Sequence, residues 1–459
     1  MNVYIFNVTN ADQFVEDCTD FNLTEKGPFS YKMFSGRKIL RSPEDEENAT
    51  LTYYDFKNFQ LNVNGTHGNL NDPFVTIDVP TLVLNQYLKD NINDTWIDAL
   101  VKFILTLNGQ SLFQKISADE LLFKGKRISI LDTLKSGWEL LHPNQPFPNV
   151  GLKDNTFSLF KSHNVTYFGP FEIYANGAKM GHFKSWHGLL SLDRWFGEEC
   201  NKIRGTDGTF FPPFVDKTRK LYVFVPNFCR SIYFIFEKEV FLKGIKLYRF
   251  ILDPDIFVSK LKKPSNKCFC SPRNNSTCSI DGVTDLNPCL RAPIWLSLPH
   301  FLNAKPDIRI KTAGLSPNSS KHATFLDIEP TLGLPLRARI RFQANVEIKK
   351  QKFYTGDDIK CDKILPLIWF EYSGEISTRD AAVLRENVVK VIDHATLYKP
   401  IYLISGFMFA IVAVALGYFK YHQICPTNCS ARFRKFISRF RGKIDKPIFK
   451  KSKESNQIL

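Results

Sequence analysis

Over the first eighty residues, apolar and polar positions alternate in short runs, VYIFNV, GPFSYKMF, TLTYYDF and PFVTIDVP, separated by turn residues such as Gly27-Pro28. A period of two predicts a β-meander. From Leu82 to Trp138 the spacing lengthens. In TWIDALVKFIL, Ile97, Leu100, Val101 and Ile104 fall at i, i+3, i+4 and i+7, and in SADELL the N-cap candidate Ser117 is followed by Glu120 in a capping-box pattern. Strand patterning returns between Val165 and Ile348, in KLYVFVP, SIYFIFE, KLYRFIL, PIWLSLPHF and RARIRFQANVEI. No repeat of fixed period is present, so the chain reads as one β-rich body interrupted by a helical insertion.

One stretch breaks this grammar. PIYLISGFMFAIVAVALGYF, Pro400 to Phe419, contains no charged residue, and at a rise of about 1.5 Å per residue it spans roughly 30 Å, the thickness of a bilayer core. Residues 420–459 hold eleven Lys and Arg against two acids, which places +9 of the net +15 in the tail. Cations beside a span are retained in the cytoplasm, so residues 1–399 are expected outside the cell or in a lumen, with the C-terminus inside. The high pI is thus a topological signal, and no nucleic-acid partner is expected. Sequons at Asn7, Asn22, Asn48, Asn64, Asn93, Asn164, Asn274, Asn275 and Asn318 all precede the span, whereas that at Asn428 follows it and reads as chance. MNVYIFNVTN has neither a charged n-region nor an apolar h-region, so a signal or first anchor is expected to be missing ahead of Met1.

Composition adds that the chain can build a large core: of 459 residues, 44% are hydrophobic and 41 are Phe. It offers little for catalysis. The nine His are scattered, with no His-Glu-x-x-His helix, and no Gly-x-Ser-x-Gly elbow or phosphate loop occurs, so no enzyme, metal or cofactor is expected. Asp327 and Glu329 in LDIEP share a strand face as a glycosidase pair would, but a structural role is the expected one; Asp207 in GTDG reads as an Asx turn. In the tail, ARFRKFISRF puts Phe433, Phe436, Ile437 and Phe440 on one helical face, suited to an anionic leaflet. Cys425 and Cys429 are palmitoylation candidates, and Glu454 with Ile458-Leu459 resembles an acidic dileucine sorting signal.

Eight cysteines precede the span, and spacing alone leaves 105 full pairings open. In a non-cytosolic compartment they are expected as disulfides, and Cys268 and Cys270, one residue apart, are ill-placed to bond each other.

The motifs FNVTN, GPFSYK, GTDGTFFPPF, CRSIYFIFE, LKGIKLYRF, KCFC, SLPHFLNAKPD and FLDIEPTLG, followed by a C-terminal span, occur in the order seen in the class B scavenger receptors, and the chain resembles that family over nearly the whole ectodomain. The resemblance implies an α+β fold: a large antiparallel β-barrel-like ectodomain, a helical-bundle apex at about 80–148, an internal apolar tunnel, and the C-terminal transmembrane helix at 400–419. It also implies the pairs Cys200–Cys268, Cys229–Cys289 and Cys270–Cys278, leaving Cys18 and Cys361 open. The implied function is a receptor for lipids, fatty acids or lipoproteins that passes lipid to the membrane through the tunnel. The alternative is a lysosomal or endosomal trafficking receptor for a protein cargo. In fatty-acid translocase a lysine pair at the apex attracts anionic ligands. Here LTLNGQSLFQK has Asn108, Gly109 and Gln110 flanked by Lys102 and Lys115, and Lys115, Lys124, Lys126 and Arg127 form a candidate replacement patch.

Overall fold

The computed structural model describes residues 1–41, 49–84, 111–141, 155–160, 166–270, 278, 280–352 and 358–424. They fall into two units, Met1–Thr378 and the segment from Arg379 onward.

Eleven strands carry the first unit. They are β1 (Asn2–Val8), β2 (Phe21–Arg41), β3 (Thr50–Leu61), β4 (Thr166–Tyr174), β5 (Phe183–Trp186), β6 (Leu221–Val225), β7 (Arg230–Leu242), β8 (Ile245–Leu252), β9 (Phe325–Glu329), β10 (Leu334–Ile348) and β11 (Lys363–Glu375). They pair antiparallel along the path β6-β7-β8-β9-β10-β11-β1-β2-β3-β4-β5. The expected turn at Gly27-Pro28 is instead a bulge inside β2, with a cis peptide there and a register slip opposite Val3 and Ile5. Gly27 sits at φ +119° with room for no side chain, since a Cβ would lie 2.7 Å from the Val3 carbonyl oxygen.

The two ends of this path are stitched together by Gly205 and Thr206. The Phe183 amide of β5 donates to the Gly205 carbonyl at 2.8 Å, Thr206 donates to Tyr222 of β6 at 3.1 Å, and Phe224 donates back to Thr206 at 2.9 Å. A nearly closed barrel results, and closure leaves few edge groups unpaired.

Alternation within strands sorts the two faces. In RARIRFQA of β10, Ala338, Ile340, Phe342 and Ala344 line the interior cavity, while Arg337, Arg339 and Arg341 reach Asp327 at 2.6 Å, Glu375 at 3.9 Å and Glu371 at 2.5 Å. Phe6, Phe14, Phe21 and Phe74 anchor one apolar cluster, and Phe224, Phe234, Phe250 and Phe342 another. Each such ring contributes about 1.5–3 kcal/mol by leaving water.

Within 80–148 the described residues combine strand and helix. Phe113–Ser117 pairs with Pro73–Ile77, and the capping box forms, with the Ser117 amide donating to Glu120 at 3.1 Å and the Glu120 amide to Ser117 Oγ at 3.3 Å. A wide helical turn, Glu120–Lys124, and a helix, Ser129–Leu141, follow. Ile97, Leu100, Val101 and Ile104 lie outside the described residues.

In the second unit, helix runs through Lys390–Ile424 around Pro400, and the stretch Thr378–Lys420 is long and apolar enough to cross a membrane once.

Candidate functional site

The inward faces of the barrel do not meet. They enclose a cavity of about 1300 Å³, above the roughly 300–1,000 Å³ of ordinary small-molecule pockets. Strands β7, β10 and β11 supply much of its wall, through Ile232, Phe234, Ile340, Phe342, Leu367 and Phe370.

The charged lining residues include Asp55, Lys57 and Asp207, with Thr209 beside Asp207. Tyr53, Asp55 and Lys57 share a face of β3 by the period of two. Arg37, on the paired strand β2 opposite Asp55, forms an ion pair with Asp207, lies 3.6 Å from Asp55, and stacks 4.6 Å from the Tyr53 ring centroid. The GTDG loop is an Asx turn: Asp207 Oδ1 accepts from the Thr209 amide at 2.9 Å and its hydroxyl at 2.6 Å. Burial holds the Asp55 carboxyl above its ordinary range, opposed by Arg37. Burial also lowers the Lys57 ammonium, whose Nζ lies 5.7 Å from the Phe168 ring centroid and 5.9 Å from that of Tyr372. Met33, Phe34 and Phe168 line the cavity and are 38%, 53% and 39% exposed, so an apolar rim opens toward solvent here.

Four disulfides brace the unit: Cys18–Cys361, Cys200–Cys268, Cys229–Cys289 and Cys270–Cys278. The first joins the two cysteines that the sequence left unassigned. Its surroundings are doubly tied, since Lys363 pairs with Asp20 and Lys360 donates to the Glu16 carbonyl.

Among the sequons, Asn22, Asn64 and Asn318 are exposed. Asn7 is half-buried, its Nδ2 donating to Thr24 Oγ1 at 3.1 Å and its Oδ1 accepting from the Val75 amide at 2.8 Å. Asn48, Asn93, Asn164, Asn274 and Asn275 lie outside the described residues, as do Lys102, Cys425, Cys429, Glu454, Ile458 and Leu459. Lys115, Lys124, Lys126 and Arg127 are exposed; Lys126 donates to Gln114 at 2.6 Å and Arg127 pairs with Asp132 at 3.0 Å.

The carboxylates of LDIEP have structural partners. Asp327 is held by Arg249 and Arg337, and Glu329 accepts from the Thr331 and Leu332 amides at 3.1 and 2.7 Å. Among the described residues, no three His, Cys, Asp or Glu converge as a metal site.

Sequence reasoning missed Arg37, Asp55 and Lys57. The signal was present in TYYDFKNF, where two charged residues continue the face begun by Tyr53, the inward face of a strand.

The CD36 family model matches residues 1–417. Scavenger receptor class B member 1 of Bos taurus is 26% identical over 385 residues, covering 82% of this chain and 70% of that protein. Sensory neuron membrane protein 2 of Manduca sexta is 29% identical over 433 residues, 90% and 82% of the two chains. Lysosome membrane protein 2 of Homo sapiens is 29% identical over 394 residues, 84% and 76%.

Proposed function

The chain belongs to the CD36 family, and from that premise we propose that it is a membrane-anchored scavenger-type receptor that binds lipids or lipid-bearing particles and passes the lipid to the bilayer through its ectodomain. The observation that carries this reading is the barrel's apolar cavity of about 1300 Å³ with its exposed apolar rim. At about 0.8 kcal/mol per methylene, a long acyl chain gains on the order of 10 kcal/mol by moving from water into such a space. A desolvated route therefore removes the main barrier to moving lipid between a particle and a membrane. The helix across 400–419 supplies the anchor, with the barrel outside or luminal and the basic tail cytoplasmic.

Uptake of a fluorescent fatty acid and of a fluorescent cholesteryl ester by cells displaying the protein tests this. Expressing cells gain uptake over mock-transfected cells, and Ala338→Trp, which places an indole in the cavity from β10, removes the gain at equal surface level. No gain over mock at verified surface display overturns the reading.

A further inference from the structure

The charges in the cavity's polar group are unevenly paired. Two cations, Arg37 and Lys57, stand with two carboxylates, Asp55 and Asp207. Arg37 is shared between both carboxylates, so the acids are already engaged. Among the described residues no carboxylate lies within 4.0 Å of the Lys57 Nζ; its near neighbours are the rings of Phe168 and Tyr372. A half-buried ammonium supported by Asp55 and Asp207 only from beyond contact distance, flanked by aromatic rings and opening onto a large apolar volume, is costly for an isolated fold. It becomes favourable when an anion arrives from outside, because charge-assisted hydrogen bonds are strongest where water is excluded. Lys57 also stands beside the rim residue Phe168, a position from which a headgroup keeps contact with solvent while its tail enters the cavity.

We propose that Lys57 anchors the anionic headgroup, carboxylate or phosphate, of a single-chain amphiphile whose hydrocarbon tail fills the barrel cavity. This rests on the lipid-binding reading above and assigns the headgroup position within it. A tail capped by a neutral ester enters the same cavity but leaves the Lys57 ammonium without a charged contact, so the site discriminates by charge at one end and by hydrophobicity along the rest.

Three probes with the same sixteen-carbon tail separate the possibilities in equilibrium binding to the purified, disulfide-bonded ectodomain: palmitate, hexadecyl phosphate and methyl palmitate. The wild type binds both anions about tenfold or more tighter than the ester, the loss of one charge-assisted contact being worth at least that factor. Lys57→Met lowers both anions to the level of the ester and leaves the ester unchanged, and Lys57→Arg retains the preference. The order of palmitate and hexadecyl phosphate in the wild type identifies the headgroup chemistry. Equal binding of acid and ester by the wild type overturns the Lys57 assignment without need of any variant, as does a Lys57→Met protein that keeps its preference for anions. If none of the three probes binds, the lipid-binding reading itself fails, a result distinct from loss of the charge preference alone.

Discussion

His300 and His322 stack face to face inside the first unit, ring centroids 4.3 Å apart and planes 7° from parallel, each only about 5% exposed or less. Each Nδ1 accepts a backbone amide at 3.0 Å, from Ser316 and Asn318 respectively, which leaves Nε2 of each ring as the donor. The Nε2 of His300 then donates to Glu25 at 2.7 Å, and Trp369 donates to the same oxygen at 2.8 Å.

His322 in this pair makes the stability of the first unit sensitive to acid. Burial, with His300 opposing a second charge, lowers the His322 imidazole from 6.5 to about 4, against the partial relief of Glu25. Well above pH 6.5 the His322 ring is neutral in the folded and the unfolded chain alike. As pH falls from 6.5 toward 4 the unfolded chain takes up a proton that the folded one refuses, so stability drops by up to roughly 3 kcal/mol. Thermal unfolding at pH 7.5 and 4.5 shows the loss, and His322→Gln narrows the gap by several degrees. An unchanged gap assigns the acid sensitivity elsewhere.

Asp327 is fully buried and shared by two arginines, at 2.7 and 2.8 Å to Arg249 and 2.6 Å to Arg337. Asp327→Asn removes the charge that both guanidiniums oppose while preserving shape. Breaking a buried pair from one side costs about 3–5 kcal/mol, and the partial exposure of both arginines sets the expectation at the lower end. The measurement is the shift in urea midpoint at constant slope.

Gly205 closes the barrel at φ +86°, and a Cβ there would lie 1.9 Å from the Tyr222 carbonyl oxygen. Gly205→Ala therefore parts β5 from β6 at a cost of about 2–4 kcal/mol. Amide exchange of Thr206 and Phe224 rises more than that of β10. Gly177→Ala is the control, since its φ of +70° carries similar strain but no atom lies within 4 Å of the added methyl.

Replacing Cys18 and Cys361 together by Ser releases the bridge with a sequence separation of 343. The expected loss is about 2–4 kcal/mol of stability, read from the melting temperature, with affinity for a cavity-bound probe retained because neither cysteine lines the cavity.

How much of this was visible in the chain follows from the range of the forces involved. Strand alternation in RARIRFQA is local, and it was readable as a strand whose period of two separates Ala338, Ile340, Phe342 and Ala344 from the arginines between them. The Ser117–Glu120 capping box spans four residues and was equally readable. Gly27-Pro28 misled because Gly and Pro mark turns and bulges alike, and only the Val3 backbone packed against Gly27 decides between them. Arg37 with Asp207, and His300 with His322, are joined by strand register across the barrel, and no period in the sequence encodes that distance. The cavity is less legible still: Ile340 and Phe342 look like ordinary core residues until the opposite wall is found not to reach them.

The pairing of β1 with β11 bears on how the protein is made. Asn2 and Glu371, which sit opposite each other in that ladder, are separated by 369 residues of chain. At about 5–20 residues per second, synthesis needs roughly 20–70 s to deliver the second partner after the first. Throughout that interval β1 can pair on one side only, with β2, and its other edge stays open in a crowded compartment. An open strand edge is a template for wrong pairing, so this interval is when the barrel is most exposed to aggregation, a hazard that no stability measured on the finished protein records.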